Sequence, residues 1–348
     1  MDLRVGIVTD QYPSSKDPDR GSFVLDLENH LRIAGVKVTV INHRCNFPAM
    51  SLRCLFNSPR LDILDAQFVA PSGVVAALTP RAAPLVITVH RWDILEFPYR
   101  WPLSRAVTHF TLNSARGIIA VSQPILFEVM KFVRPGSRIT KIPNAVDIQR
   151  FRPHVESDSL KQLMGIPENH RVVLAVGRLI PRKGFQYLIQ AIASIVRQYG
   201  QLSLVIAGRG PMYGELQELG RRLGLGERLK LPGVVDYSLL PSFYAMADVF
   251  VMPSLSEGHC VTILEAMSSG KSIVASDIPA NAESVVHGKN GLLVHQEDPD
   301  DLSSAILRIL SNDSLRDMFA RNSRERAVAE FSWEIRVRRL MDFYRSIL

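Results

Sequence analysis

Cysteine is scarce in this chain, and long apolar runs are missing. The three cysteines, Cys45, Cys54 and Cys260, are spread over 348 residues and form no close-spaced zinc pattern. An odd number of cysteines in a long chain also argues against a disulfide framework. No run of about 18 or more apolar residues suggests a membrane span. These absences indicate a globular protein without a zinc centre, a disulfide scaffold or a transmembrane helix.

The start of the chain lacks the order of a signal peptide. Met1 is followed almost at once by the β-rich run from Leu3 to Thr9, with no basic region, apolar core or cleavage site before it. No Gly-x-Gly-x-x-Gly follows this first strand, which argues against a dinucleotide-dependent dehydrogenase. We therefore expect a cytoplasmic protein.

Acidic residues are the minority among the charges. There are 41 Lys and Arg against 34 Asp and Glu, which gives a net charge of +7. Bases exceed acids most clearly between Arg81 and Lys141, a segment that also holds several aromatic residues, namely Trp92, Phe97, Tyr99, Trp101 and Phe110. Such a segment suits the surface of an anionic membrane, but scattered charges and aromatics are also typical of an ordinary folded domain. A peripheral membrane position remains an open alternative, and we expect no nucleic-acid partner.

Apolar strand patterns alternate with helical patterns along the whole chain. The predicted strands of the first half are Leu3–Thr9, Val36–Asn42, Leu61–Gln67, Leu85–His90, Gly117–Ser122 and Ile139–Ile142, and its predicted helices are Phe23–Ile33, Gly73–Leu78 and Gln123–Val133. The pattern restarts at Arg171, after a connection that we place from Pro143 to Gly165. The predicted strands of the second half are Arg171–Val176, Leu202–Ala207, Leu229–Leu231, Val249–Met252, Ser272–Ala275 and Gly291–Val294, and its predicted helices are Phe185–Tyr199, Tyr213–Leu223, Leu239–Met246, Asp300–Leu310 and Ser314–Glu330. This alternation predicts an α/β protein with two Rossmann-like domains and parallel sheets. We assign residues 1–152 to the first domain and 153–332 to the second.

The stretch from Pro253 to Ser276 places two carboxylates around a predicted helix start. Glu257 lies in the approach loop, and Glu265 lies one to two turns into the helix. Between them, the backbone N–H groups from Gly258 to Thr262 are the donors that a helix N-terminus leaves unpaired, and these attract anions such as a diphosphate. The segment therefore predicts an anion site with carboxylates on either side.

A second stretch, from Val173 to Gly184, runs from an apolar strand into a Gly-Arg turn and a Lys-Gly helix entry. Arg178 and Lys183 both follow the end of this strand. Two cations at a strand end could hold one diphosphate through charge-assisted hydrogen bonds.

Together the two stretches resemble the retaining glycosyltransferases of the GT-B fold, which carry a Glu-x7-Glu motif and a Gly-Arg-Leu-x3-Lys-Gly motif. Weaker similarities follow in the family's order along most of the chain, at Tyr12-Pro13, Gly21-Ser22-Phe23, Thr88-Val89-His90, Asn144–Asp147 and Phe151-Arg152-Pro153. The resemblance implies two Rossmann-like domains that face each other across an active-site cleft. It also implies that the last helix, 333–348, packs back on the first domain.

The resemblance implies a role for each motif residue. Arg178 and Lys183 would bind the donor diphosphate, Glu265 the ribose hydroxyls, and Glu257 the hydroxyls of the transferred sugar. His90 would face the reacting centre, although Arg91 replaces the small residue that usually follows it. The remaining donor-binding positions would act through glycine backbone or the helix start, and they are Gly21, Gly177, Gly208, Gly258, His259, Cys260 and Val261. No metal ion or other cofactor is implied, because the cations would take its place.

The expected reaction transfers a sugar from a UDP- or GDP-sugar to a hydroxyl group, with retention of anomeric configuration. The acceptor is expected to be a sugar or a lipid-linked precursor of a polysaccharide or glycolipid. Two alternatives stay open: a non-catalytic scaffold that binds nucleotide sugar or membrane, and a nucleotide-sugar epimerase on the same architecture. A glycosidase is disfavoured, because its two carboxyl groups flank one bond at about 5 to 9.5 Å.

Overall fold

The computed structural model describes residues 3–13, 21–42, 47–80 and 82–348, and it divides into two compact units. Unit 1 comprises Met1–Asn144 and Trp333–Leu348, and unit 2 comprises Ala145–Ser332. Cys45 and Arg81, which entered the sequence analysis, lie outside the described residues.

Unit 1 is built on a six-stranded parallel sheet within its described residues. The strands are β1 (Arg4–Thr9), β2 (Lys37–Asn42), β3 (Ile63–Gln67), β4 (Leu85–Val89), β5 (Gly117–Ala120) and β6 (Ile139–Lys141), in the spatial order β2-β1-β3-β4-β5-β6. The helices that connect them are α1 (Ser22–Ile33), α2 (Phe47–Asn57), α3 (Val74–Leu78), α4 (Trp92–Leu95), α5 (Phe97–Arg100), α6 (Pro102–Asn113) and α7 (Gln123–Met130). Strands β3, β4 and β5 are fully buried, as expected for a parallel sheet covered on both faces.

Unit 2 repeats this architecture. Its strands are β7 (Arg171–Val176), β8 (Leu202–Ala207), β9 (Leu229–Gly233), β10 (Val249–Met252), β11 (Ser272–Ser276) and β12 (Gly291–Val294), in the order β12-β11-β10-β7-β8-β9, and all pairs are parallel. Its helices are α8 (Asp158–Leu163), α9 (Phe185–Val196), α10 (Tyr213–Arg222), α11 (Leu240–Met246), α12 (Val261–Ser268), α13 (Pro279–Ala282), α14 (Pro299–Leu310) and α15 (Asp313–Glu330).

The central strand β7 shows how both faces of the second sheet are filled. Val173 and Ala175 join the core under α9 and α14, whereas Val172, Leu174 and Val176 join the core under α11 and α12. Side chains alternate between faces along a strand, so an uninterrupted apolar run supplies both cores. The α/β prediction, with two Rossmann-like domains, is confirmed.

The last helix, α16 (Trp333–Ile347), belongs to unit 1. Trp333 stacks on His30 of α1 with ring centroids 4.8 Å apart, and Gly117 of β5 lies against Phe343 and Ile347. A side chain at Gly117 would collide with both, so the absent Cβ makes room for α16.

The boundary between the units comes earlier than the predicted one after residue 152. The Val146 N–H donates to the Phe331 carbonyl at 2.9 Å, and the buried ring of Phe151 lies 5.7 Å from that of Tyr244. The segment 145–152 therefore packs with unit 2. The predicted connection up to Gly165 also contains a helix, α8.

Candidate functional site

Two glycine loops lie side by side after strands β7 and β8. The Leu179 N–H donates to the Arg209 carbonyl at 2.9 Å, and the Met212 N–H donates to the Leu179 carbonyl at 3.1 Å. Gly208 has φ +147°, and a Cβ there would collide with the carbonyl of Gly177. The backbone of both loops is thus fixed at the carboxyl edge of the sheet, where open α/β sheets bind ligands. Arg178 stands exposed on this platform.

The turn that follows brings Lys183 against the Glu257 loop. Residues Pro181–Lys183 form one 3₁₀ turn, which ends at Gly184 with φ +67°. A Cβ at Gly184 would overlap the carbonyl of Pro253, so glycine permits this close approach. Lys183 Nζ then lies 2.7 Å from Glu257 Oε1.

Arg182 adds a second cation to the same carboxylate. Its Nη1 donates to the Ser256 carbonyl at 2.7 Å and lies 3.4 Å from Glu257 Oε2. The side chains of Lys183 and Glu257 are only 11% and 9% exposed, so this ion pair is largely screened from water. One carboxylate faces two cations here, which leaves a positive surplus.

The electrostatics of this cluster favour the charged forms. Burial opposes ionisation of Glu257, but the charges of Lys183 and Arg182 outweigh it and hold the pKa of the carboxyl below its usual value. Burial likewise opposes the charge on Lys183, yet Glu257 holds the pKa of the ammonium above its usual value. Both groups are therefore ionised at neutral pH.

The N-terminus of α12 follows Glu257 directly. Gly258, His259 and Cys260 are buried, and the Cys260 side chain does not cap the helix. The His259 ring packs 5.5 Å from the Phe331 ring, and the Cys260 thiol lies 3.2 Å from the Thr262 hydroxyl. Because both side chains are engaged, a ligand at this helix start would meet the backbone N–H groups, including that of Val261. Burial also raises the pKa of Cys260, which disfavours a nucleophilic thiolate.

Glu265 lies on the buried side of α12. Its Oε2 accepts a hydrogen bond of 2.6 Å from the hydroxyl of Tyr244, which comes from α11 and is fully buried. Burial and the Glu265 charge raise the pKa of Tyr244 well above its usual value, so the phenol stays a donor. Tyr244 thus fixes the orientation of the Glu265 carboxylate.

Two of the predicted residues, His90 and Gly21, belong to unit 1. The His90 ring follows β4 and lies between Phe23 and Phe68, at centroid distances of 5.1 and 4.4 Å. Loss of hydration, together with the charge of Arg336, lowers the pKa of His90 to about 3, so the imidazole is neutral. Gly21 precedes α1 with φ +71°, and a Cβ there would collide with the Gln11 carbonyl. The residues of the two predicted motifs all lie in unit 2.

Arg182, Tyr244 and Gln67 contact predicted site residues and were not themselves predicted. Arg182 adjoins Lys183 and could have been found from its charge and position. Tyr244 and Gln67 carry no such signal, because their contacts to Glu265 and His90 join distant parts of the chain.

Neither metal ligands nor membrane spans are apparent in the described residues. In residues 3–13, 21–42, 47–80 and 82–348, no group of three or more His, Cys, Asp or Glu side chains is arranged to hold a metal ion. Over the same ranges, no helix has both the length and the apolar character needed to cross a bilayer. A surface depression of about 720 Å³ lies along α10 and β9 and contains none of the predicted site residues.

The two parallel sheets define a two-unit α/β protein, and comparison with known proteins identifies its family. The family described as glycosyl transferases group 1 matches residues 156–326, and the family described as glycosyltransferase family 4 matches residues 4–150. The chain belongs to this family of glycosyltransferases, as the sequence motifs predict.

Similar proteins come from archaea and bacteria. The chain is 31% identical, over 83% of its length and 80% of the other, to the GDP-mannose-dependent alpha-(1-6)-phosphatidylinositol monomannoside mannosyltransferase of Mycobacterium tuberculosis. It is 29% identical, over 69% of its length, to an uncharacterized glycosyltransferase of Methanocaldococcus jannaschii, of which it spans only 62%. The crystal structure of Anabaena HepE in complex with UDP and glucose has a TM-score of 0.82 at 22% identity, with 99% of this chain and 100% of that one covered. This structural likeness confirms the predicted GT-B fold.

Proposed function

We propose that the protein is a retaining glycosyltransferase that moves a sugar from a nucleoside-diphosphate sugar to a hydroxyl acceptor. The observation that carries this proposal is the cluster of Lys183, Arg182 and Glu257 beside the start of α12. A surplus of positive charge next to a helix N-terminus suits a diphosphate leaving group.

The chemistry follows from where charge develops. As the glycosidic bond to the donor breaks, negative charge grows on the diphosphate and positive character grows at the anomeric carbon. Preorganised donors at the diphosphate stabilise this transition state. Arg178, Lys183 and the N–H groups of α12 would supply them and would take the place of a divalent metal ion. The leaving phosphate would then accept the proton of the attacking hydroxyl on the same face, which retains configuration.

Two carboxylates would bind the rest of the donor. Glu265, held by Tyr244, would accept hydrogen bonds from the ribose hydroxyls. Glu257, held by Lys183, would accept hydrogen bonds from hydroxyls of the transferred sugar. The mycobacterial relative is named for GDP-mannose, and the Anabaena structure holds UDP and glucose. We infer a UDP- or GDP-sugar donor for this chain.

We further propose that the acceptor is lipid-linked and that unit 1 meets an anionic membrane. Helices α5, α6 and α7, with the residue that joins α5 to α6, expose large apolar side chains, namely Tyr99 (53%), Trp101 (56%), Leu103 (73%), Phe110 (49%) and Phe127 (59%). Basic side chains lie among them, and the Arg100 guanidinium sits 4.6 Å from the Trp101 ring centroid. Aromatic side chains with nearby cations are typical of membrane-interface surfaces. The name of the mycobacterial relative specifies a phosphatidylinositol acceptor, which supports this assignment.

The test is release of nucleoside diphosphate from a panel of UDP-, GDP- and ADP-sugars, with lipid and sugar acceptors and with or without EDTA. We expect release from one donor, insensitive to EDTA, together with a glycosylated acceptor of retained configuration. Arg178→Ala is the informative variant, because Arg178 is exposed and its loss should not disturb folding. Arg222→Ala, an exposed arginine on α10, is the matched control.

The outcomes separate the alternatives. Loss of turnover in Arg178→Ala but not in Arg222→Ala supports diphosphate binding at the glycine platform. Binding of a nucleotide sugar without release would favour the non-catalytic scaffold. Isomerisation of the donor without an acceptor would favour the epimerase.

A further inference from the structure

A chain of buried hydrogen bonds links the C-terminal helix to His90. The Tyr344 hydroxyl donates to Asp65 Oδ2 at 2.7 Å, and the Gln67 amide nitrogen donates to the same oxygen at 3.0 Å. The Gln67 amide oxygen then lies 3.1 Å from His90 Nε2. Tyr344, Asp65 and Gln67 are at most 1% exposed. None of these contacts is used by the proposed donor site.

The direction of each bond follows from the chemistry of Asp65. Thr88 Oγ1 also donates to this carboxylate, at 2.9 Å, so Asp65 accepts three hydrogen bonds and donates none. Burial raises the pKa of Asp65 to about 6, which leaves it ionised at neutral pH. An ionised carboxylate only accepts, so Gln67 must present its NH₂ group to Asp65 and its oxygen to His90.

This orientation decides the tautomer of the imidazole. Because the Gln67 oxygen can only accept, His90 must donate from Nε2, and the neutral ring then carries its lone pair on Nδ1. Within the described ranges, Nδ1 has no hydrogen-bond partner, and His90 remains partly exposed. Nδ1 is therefore available as an acceptor for a hydroxyl group.

The ring is also held in place by its neighbours. Phe68, directly after Gln67, has φ 78° and ψ 146°, a backbone conformation that residues other than glycine rarely adopt. This conformation accompanies the placement of the Phe68 ring 4.4 Å from His90. Such outliers persist where the surroundings fix them, and they cluster at functional sites.

We propose that Gln67 is a positioning residue that fixes His90 as the Nε2–H tautomer. The Asp65 carboxylate orients the Gln67 amide by accepting its N–H, and the Tyr344 hydroxyl of α16 orients Asp65 by donating to the same carboxylate. The lone pair on Nδ1 then accepts a hydrogen bond from a hydroxyl of the sugar donor or acceptor. This role in turnover rests on the proposed transferase function, whereas the tautomer itself does not.

The first experiment measures the tautomer directly. Two-bond ¹⁵N–¹H correlation spectra of protein labelled at histidine distinguish the Nε2–H form from the Nδ1–H form, and the His90 signals are assigned by their loss in His90→Gln. We expect the Nε2–H form in the wild type and a shift toward the Nδ1–H form in Gln67→Met. A wild-type ring that is cationic or protonated on Nδ1 at neutral pH would overturn the proposal.

The second experiment asks whether Gln67 acts through His90. We expect Gln67→Met to lower kcat/KM about tenfold, the effect of one weakened hydrogen bond to substrate. In a His90→Ala background the same change should have no further effect, because the two residues act as one unit. An equal loss in both backgrounds would assign Gln67 a merely structural role and overturn the proposal.

One variant outside the hydrogen-bond network and one further variant within it serve as comparisons. Thr79→Val removes a buried hydroxyl of unit 1 that bonds the Val75 carbonyl, outside this network, and should change neither spectrum nor kinetics. Tyr344→Phe should shift the His90 tautomer in the same direction as Gln67→Met but by less, because Asp65 keeps its other donors. If the wild type turns over no donor, the proposed function fails, while the spectra still decide the tautomer.

Discussion

Lys183 and Glu257 form an ion pair that is both a structural contact and the centre of the proposed diphosphate site. Their side chains are mostly buried, so each charge depends on the other for compensation. Arg182 also offsets part of the negative charge of Glu257, since its Nη1 lies 3.4 Å from Glu257 Oε2. Stability and ligand binding are therefore coupled at this position.

We expect Lys183→Met to destabilise the fold by about 3 kcal/mol, because it leaves a buried carboxylate with one weaker partner. The double variant Lys183→Met/Glu257→Gln should be more stable than Lys183→Met alone, since the uncompensated charge is gone. Urea unfolding of the wild type, the single variants Lys183→Met and Glu257→Gln, and the double variant measures this difference. A double variant that loses the sum of the two single losses would show that the charges are not coupled.

Tyr244 should act on nucleotide binding through Glu265. Tyr244→Phe removes the 2.6 Å hydrogen bond that orients this carboxylate. We expect about 2 kcal/mol of lost stability, as for a hydrogen bond to a charged group, and a donor KM several-fold higher with kcat less affected. Tyr213→Phe removes a hydroxyl that bonds the Leu231 carbonyl at 3.3 Å and serves as the control. An unchanged KM would place the ribose away from Glu265.

His90 should make the stability of unit 1 depend on pH. Its pKa falls from 6.5 to about 3 on folding, so the unfolded chain binds the proton more readily. The contribution of the neutral His90 ring to the free energy of unfolding is therefore fully present above pH 6.5, and it is lost progressively as the pH falls toward 3. The urea midpoint of the wild type, measured from pH 7 to 4, should fall more steeply than that of His90→Gln. Parallel curves would mean that the ring is hydrated in the folded state.

At the scale of elements, the strands were the most predictable part. Arg171–Val176, Leu202–Ala207, Val249–Met252 and Gly291–Val294 have the predicted bounds, because buried parallel strands are uninterrupted apolar runs between polar or glycine positions. Helices α2, α4, α5, α6, α8 and α13 were not predicted. The stretch of α4 to α6 is broken by Pro98 and Pro102, and its apolar residues point partly to solvent, so the helical period is obscured.

Residues that are close in sequence could be proposed as one site from the sequence, whereas contacts that only the fold makes could not. The Glu257 to Glu265 segment and the Gly177 to Gly184 segment each carry several site residues within a few positions. Gln67 and Tyr344, in contrast, are 277 positions apart (344 − 67) and meet only through Asp65. No local pattern could have joined them.

Helix α10 offers a matched pair of glycines for a test of packing. A Cβ at Gly214 would meet nothing within 4 Å, whereas a Cβ at Gly220 would collide with the Leu229 side chain. We expect Gly214→Ala to stabilise the protein by about 0.5 to 1 kcal/mol, the helix-propensity difference between the residues. Gly220→Ala should stabilise the protein less than Gly214→Ala does, or should destabilise it, because the Leu229 side chain must move to make room. Thermal unfolding compares the two, and equal shifts would contradict the packing argument.

At the scale of the whole molecule, the net charge of +7 and the exposed apolar surface of α5 to α7 predict salt-dependent membrane binding. We expect binding to vesicles containing anionic lipid at about 0.1 M salt and clear weakening at about 0.5 M, where charges are more strongly screened. Leu103→Glu should reduce binding about tenfold or more, because it removes an apolar contact and adds a repelled charge.

Leu163→Glu is the control for this experiment, since Leu163 is 83% exposed on α8 in unit 2. Sedimentation with vesicles measures the fraction of bound protein for the wild type, Leu103→Glu and Leu163→Glu. Equal binding of the two variants, or no binding of the wild type to anionic vesicles, would contradict the membrane assignment.

The split composition of unit 1 has a consequence for biosynthesis. The ribosome completes residues 1–144 early but makes α16 only after all of unit 2. Until then, Asp65 lacks Tyr344, Gly117 faces an empty groove, and Trp333 is absent from His30. Unit 2 can fold as a continuous segment before unit 1 has its last helix, because domains generally fold as units during synthesis. The nascent chain therefore exposes an unfinished unit 1, with an uncovered apolar face, throughout the synthesis of unit 2, and this is the interval in which a chaperone would be needed.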